Sequence, residues 1–189
     1  MREKQKLQNR QKILILVTLS MFVSIGVVIS PILRFEGFAP TAHFVNIVCS
    51  VVLGPWYSLA NAIITAIIRM SLLNIPPLAI TGQVFGAFLS GFLYRKSKGS
   101  ILACVIGEII GTGIIGSIAS YPVMTLLWGK GDITWYFYLP SFLIATIMGG
   151  SVAYIFLKTL QRAKVLYPIQ RNIGVNVYDK SRRDNWGKG

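Results

Sequence analysis

Residues 101–127 read ILACVIGEIIGTGIIGSIASYPVMTLL, and this run from Ile101 to Leu127 decides the fold. Its length and apolarity match a bilayer crossing, which needs about 20 apolar residues for a hydrocarbon core about 30 Å thick. Glu108 stands inside the run and is the only acidic residue within any apolar stretch of the chain. A carboxylate at membrane depth is costly unless paired, hydrated or neutralised, so Glu108 marks a polar interior site.

The rest of the chain supports the same class. Hydrophobic residues make up 53% and charged residues 13% of 189 residues, with a mean hydropathy of +0.61. A soluble domain does not carry that balance. Turn residues between the apolar runs divide the chain into six expected helices: Ile13–Leu33, His43–Leu53, Trp56–Leu73, a fourth from Pro76-Pro77 to Tyr94, Ile101–Leu127, and Tyr136–Leu160. The second is too short to span unaided. The expectation is an all-α polytopic membrane protein with six transmembrane helices. It has a basic leader (1–12), one membrane domain (13–164) and a solvated tail (165–189).

Charge placement favours six crossings over five. All Lys and Arg except Arg34, Arg69 and Lys130 fall in the leader, in the Arg95–Lys98 turn, or from Lys158 onward. With a cytoplasmic N-terminus, six crossings put those three clusters on the cytoplasmic side of a cell membrane, where short-loop Lys and Arg concentrate. Trp128, Trp135, Tyr136 and Tyr138 then form an outer aromatic belt. A cleavable signal peptide fits the first helix poorly, since no small-residue cleavage pattern follows it. Cys49 and Cys104 lie in apolar segments without ligand-type neighbours, so neither a metal nor another cofactor is expected, and the basic charge reads as topology rather than nucleic-acid binding.

Few polar residues lie at membrane depth. His43 and Asn46 share a face of the second helix, Arg69 sits near the outer end of the third, and Gln83 lies partway along the fourth. Glu108, Thr112 and Ser117 mark the fifth, with Tyr121 and Pro122 further out. At about 1.5 Å per residue Glu108 stands roughly 12 Å from the inner end of its helix, with Gln83 at comparable depth. Gly107, Gly111, Gly113 and Gly116 read first as a close-packing surface. Asn46 also has the plain reading of a bond across helices, and Arg69 that of an interfacial anchor. Enzymatic catalysis fits poorly, because one histidine and one deep carboxylate make no obvious nucleophile–base arrangement. No Gly-rich loop ending in Gly-Lys-Ser or Gly-Lys-Thr occurs, so the chain has no nucleotide motor of its own. A proton-coupled carrier, for which Glu108 is the titrating group, stays open.

A set of short motifs is more specific than any of these patterns alone. Gly37-Phe38-Ala39-Pro40, His43 and Val45-Asn46, Leu53-Gly54-Pro55-Trp56-Tyr57, the run from Gly107 to Gly116, and Tyr121-Pro122 together resemble the ThiW family over about residues 13 to 160. That resemblance implies the substrate-binding S component of an energy-coupling factor (ECF) transporter for hydroxyethylthiazole, the thiazole precursor of thiamine. It also implies a membrane scaffold partner (the T component), two cytoplasmic ATPases, and a scaffold contact on the first helix at Ser20 and Ser24. One stretch departs from the family pattern: Met70 to Pro77, then Thr81-Gly82-Gln83, stand where a Gly- and Thr-rich turn and a Pro-Gly-Ser step are expected. Glutamine at that position brings a donor and an acceptor on a longer arm. The residues expected to meet the ligand are Glu108, Gln83, His43, Asn46, Thr112, Tyr121 and Arg69, with an aromatic wall from Trp128, Trp135 and Tyr138.

Overall fold

A computed structural model of the chain describes residues 2–30, 32 and 38–175. Among the described residues there are seven helices and no strand: α1 (Arg2–Ile29), α2 (Pro40–Leu53), α3 (Pro55–Leu73), α4 (Leu78–Lys96), α5 (Ile101–Leu126), α6 (Leu139–Arg162) and α7 (Leu166–Ile173). Four segments among the described residues are long and apolar enough to cross a membrane: Gln5–Ile29, Pro55–Leu73, Ile101–Leu126 and Leu139–Arg162. The other two expected crossings differ for separate physical reasons. Helix α2 is apolar but has only 14 residues, about 21 Å at the helical rise. Helix α4 is long enough, with 19 residues, but its inward face is small and polar: Thr81, Gly82, Gln83, Gly86, Ser90 and Gly91 are all buried.

Helix α2 occupies the centre of the bundle. Nearly all its residues are buried, and it packs against α1, α3, α4, α5 and α6. Its start is set by Pro40 in the first turn, where a missing N–H costs nothing. Its end is set by Gly54, whose φ of 85° lies in a region that favours glycine; Pro55 then opens α3. Ile47, Cys49, Val51 and Leu53 of α2 join Cys104, Ala153 and Leu157 in the main apolar core. Helix α4 lies between α3 and α5.

Helix α5 is not a uniform α-helix. Ser100 caps its start, its side chain accepting from the Ala103 amide at 3.4 Å. From Ile109 to Gly116 the backbone widens into π-helical turns before returning to α-helix at Ser117. Such widening is infrequent and often marks functional positions. Further along, Pro122 removes one rung of the ladder inside the helix.

Two terminal regions extend the expected elements. The basic leader continues α1 back to Arg2 rather than standing apart from it. Within the region read as a solvated tail, α7 turns Leu166, Gln170 and Ile173 onto the core; residues 176–189 of that tail lie outside the described residues. Gln170 is buried and donates from Nε2 to the Val51 carbonyl (2.8 Å) and to Tyr94 Oη (3.1 Å). Gln170→Leu keeps the volume but leaves the Val51 carbonyl without that donor. The expected loss is about 1–3 kcal/mol, read by denaturant unfolding in detergent; an unchanged midpoint would mean that α7 is not docked in solution.

Candidate binding site

The polar residues expected at membrane depth converge because each helix turns them inward at helical spacing. Helix α2 contributes His43, Asn46 and Ser50, α4 contributes Gln83 and Ser90, and α5 contributes Glu108 and Thr112, all buried. Glu108 is 0% exposed and its two oxygens are fully engaged. Oε1 pairs with His43 Nδ1 at 2.9 Å and accepts from Asn46 Nδ2 and Thr112 Oγ1 at 3.3 Å each, while Oε2 accepts from Ser90 Oγ at 3.0 Å. Asn46 Nδ2 also donates to the Gln83 carbonyl at 3.4 Å. Both neighbours of that amide nitrogen accept, which fixes the orientation of the Asn46 side chain. Below this cluster Ser50 and Ser58 bond each other at 2.7 Å and reach the Ala87 and Asn46 carbonyls.

A cleft opens beside the cluster. It is lined by Phe38, Ala39 and Ala42, by His43 of α2, Arg69 of α3, Ile75, Leu78, Ala79, Gly82 and Gln83 before and within α4, and Phe142 of α6. Its empty space is about 400 Å³ counted to the open mouth, of which about 40 Å³ is wide enough for water. Small-molecule sites have this character, a mostly apolar wall with a few convergent polar groups. Here the polar groups are His43, Gln83 and Arg69.

The expected site residues therefore fall into three sets. His43, Gln83 and Arg69 line the cleft. Glu108, Asn46 and Thr112 stand behind His43, so the carboxylate supports the cleft wall rather than forming it. Tyr121, Trp128, Trp135 and Tyr138 are outside the lining. Trp128 and Trp135 are exposed, whereas Tyr138 is buried and packs on Phe137 and Phe142 at ring separations of 5.0 and 6.0 Å. Sequence reasoning missed Ser90, Phe38 and Phe142. Ser90 was detectable, standing seven residues beyond Gln83 and hence on the same helix face. No local signal distinguishes Phe142 from its apolar neighbours.

Among the described residues no group of acidic, histidine or cysteine side chains is placed to hold a metal ion. Four apolar helices of spanning length among the described residues, with a closed hydrogen-bonded acid and a narrow mixed cleft in the bundle, define the class as a helical membrane protein with an interior cleft. Residues 16–163 match the family model described as thiamine-precursor transporter protein (ThiW). The chain belongs to the ThiW family, a transporter family and not an enzyme family. No curated protein and no solved structure matches the chain.

Proposed function

We propose that this chain is the substrate-binding S component of an ECF importer, and that it captures hydroxyethylthiazole or a closely related thiamine precursor. The observation that carries the reading is the cleft: a wall of Phe38, Phe142 and aliphatic groups for the ring, with His43, Gln83 and Arg69 for the ligand's polar atoms. In this reading all six long or central helices, α1 to α6, cross the cell membrane, with both termini cytoplasmic and the cleft toward the outer face. Helix α2, being sheathed by its neighbours, needs little lipid contact to do so. The scaffold partner and two ATPases supply the energy that this chain, lacking a phosphate loop, does not. Ser20 and Ser24, exposed on α1 with their hydroxyls turned back to the Leu16 and Ser20 carbonyls, leave a smooth strip for the scaffold between Leu16, Val17, Met21 and Ile25. The narrow interior means that binding displaces wall side chains.

Calorimetric titration of the purified chain with the thiazole alcohol, an aminopyrimidine and thiamine tests this. Micromolar or tighter binding of the thiazole alcohol is expected, and no heat with any of the three would overturn the proposal. An analogue lacking the hydroxyl is expected to bind roughly 5- to 150-fold more weakly, because a buried partner is left unpaired. The buried His43–Glu108 pair is the one observation that favours a standalone proton-coupled carrier instead. Uptake into vesicles by the lone chain, collapsing with the proton gradient, would establish that alternative.

A further inference from the structure

We infer that Glu108 is a positioning residue that locks His43 as the Nδ1–H tautomer, so that His43 Nε2 faces the cleft as a hydrogen-bond acceptor and selects ligands that carry a donor, such as an alcohol. This deepens the proposed binding role and rests on it for the identity of the ligand, but not for the state of the ring. His43 lines the cleft, its Nδ1 is held 2.9 Å from Glu108 Oε1, and Nε2 has no hydrogen-bond partner among the described residues. What the ring can offer a ligand is therefore Nε2.

Whether Nε2 accepts or donates depends on the acid behind it. A carboxylate only accepts, whereas a protonated acid must donate to something. The groups around Glu108 are set up to donate: the Asn46 amide, fixed by the Gln83 carbonyl, and the hydroxyls of Ser90 and Thr112. With three neutral donors in place, an ionised Glu108 needs only the Nδ1 proton of a neutral imidazole to complete its shell. Against the ring stand Glu108 of α5 and, in the shared cleft, Arg69 of α3 and the uncharged Gln83 of α4. The Cys104 thiol is turned to the Ile47 carbonyl.

Histidine occurs once in the sequence, so labelling histidine nitrogen gives a spectrum from this ring alone. In ligand-free protein in lipid nanodiscs at neutral pH, magnetic resonance is expected to show a protonated Nδ1 and a bare Nε2. A protonated Nε2, in either the neutral or the cationic ring, overturns the inference whatever the ligand titrations show. The variants add an independent reading. In Glu108→Gln the amide nitrogen can turn to Ser90, whose hydroxyl then accepts, leaving the amide oxygen for Nδ1. The preference for hydroxyethyl-methylthiazole over ethyl-methylthiazole is therefore expected to persist, roughly 5-fold or more. In Glu108→Ala it is expected to fall to about 1-fold. Loss of that preference in Glu108→Gln, or its survival in Glu108→Ala, overturns the assignment. Absence of binding by either thiazole to the wild type removes the ligand proposed above, while the ring spectrum still decides the tautomer.

Discussion

Glu108→Ala is expected to lose about 1–3 kcal/mol of stability, the range seen when a buried hydrogen-bonding group is left without its partner. The loss is not spread evenly over the four donors that Glu108 receives. Thr112 and Ser90 are helical, and their hydroxyls can turn back to carbonyls of the preceding turn, as Ser117, Ser120 and Thr146 already do in this protein. Asn46 keeps the Gln83 carbonyl. His43 has no such substitute for Glu108: its buried Nδ1 loses its partner whichever ring nitrogen then carries the proton, and it bears most of the penalty. Glu108→Gln is expected to stay within about 1 kcal/mol of the wild type, because it keeps one acceptor and lightens the desolvation of a charge. Denaturant unfolding in detergent micelles reads both. If the alanine variant unfolded at the wild-type midpoint, the hydrogen bonds to Glu108 would not be formed in solution.

That network was partly legible in the sequence because charge is conspicuous in an apolar run. Glu108 needed no structural information to single it out, and the three-residue spacing of His43 and Asn46 put them on one face of α2. Their order was not legible. Nothing in the sequence says that His43 stands between the cleft and the acid, since that depends on how α2 is set against α5. The aromatic wall shows the complementary difficulty. Trp128 and Trp135, close to the end of an apolar helix, suit an interface as well as a pocket, and the structure leaves them exposed. The rings in the cleft are Phe38, from the segment before α2, and Phe142, on α6. Helix α7 was missed for a reason of length: two turns carry only Leu166, Gln170 and Ile173 inward, too few for a periodic signal, and the central one is polar.

The glycines of α5 were read as a packing surface, and the contact distances explain why substitution there is expected to have effects as large as any in the site. A Cβ at Gly111 would lie 2.6 Å from the Phe85 carbonyl oxygen and 2.8 Å from the Gly86 nitrogen, and one at Gly107 would lie 2.7 Å from the Leu89 carbonyl oxygen and 2.8 Å from Ser90 Cα. These neighbours are α4 backbone, which cannot step aside as a flexible side chain can, so α4 and α5 must separate. Gly111→Ala is expected to cost about 1–3 kcal/mol as overpacking, and Gly111→Leu enough to prevent folding. Alanines at 107 and 111 together press on the same stretch of α4, so their costs should not simply add. At Gly86, on the facing helix, a Cβ would instead meet the Glu108 carboxyl, 2.7 Å from Oε2, as well as the Thr112 hydroxyl. Gly86→Ala therefore pushes the acid itself, and with it the ring of His43. It should reduce the preference for the thiazole alcohol over its deoxy analogue even where the protein remains folded. Gly131→Ala, where a Cβ has no neighbour within 4 Å, serves as the control and should change stability by less than about 0.5 kcal/mol. Unfolding midpoints and binding ratios for the set decide the matter: if Gly111→Ala matched Gly131→Ala in stability, the α4–α5 seam would be looser than described, and the acid held across it would lose its fixed position.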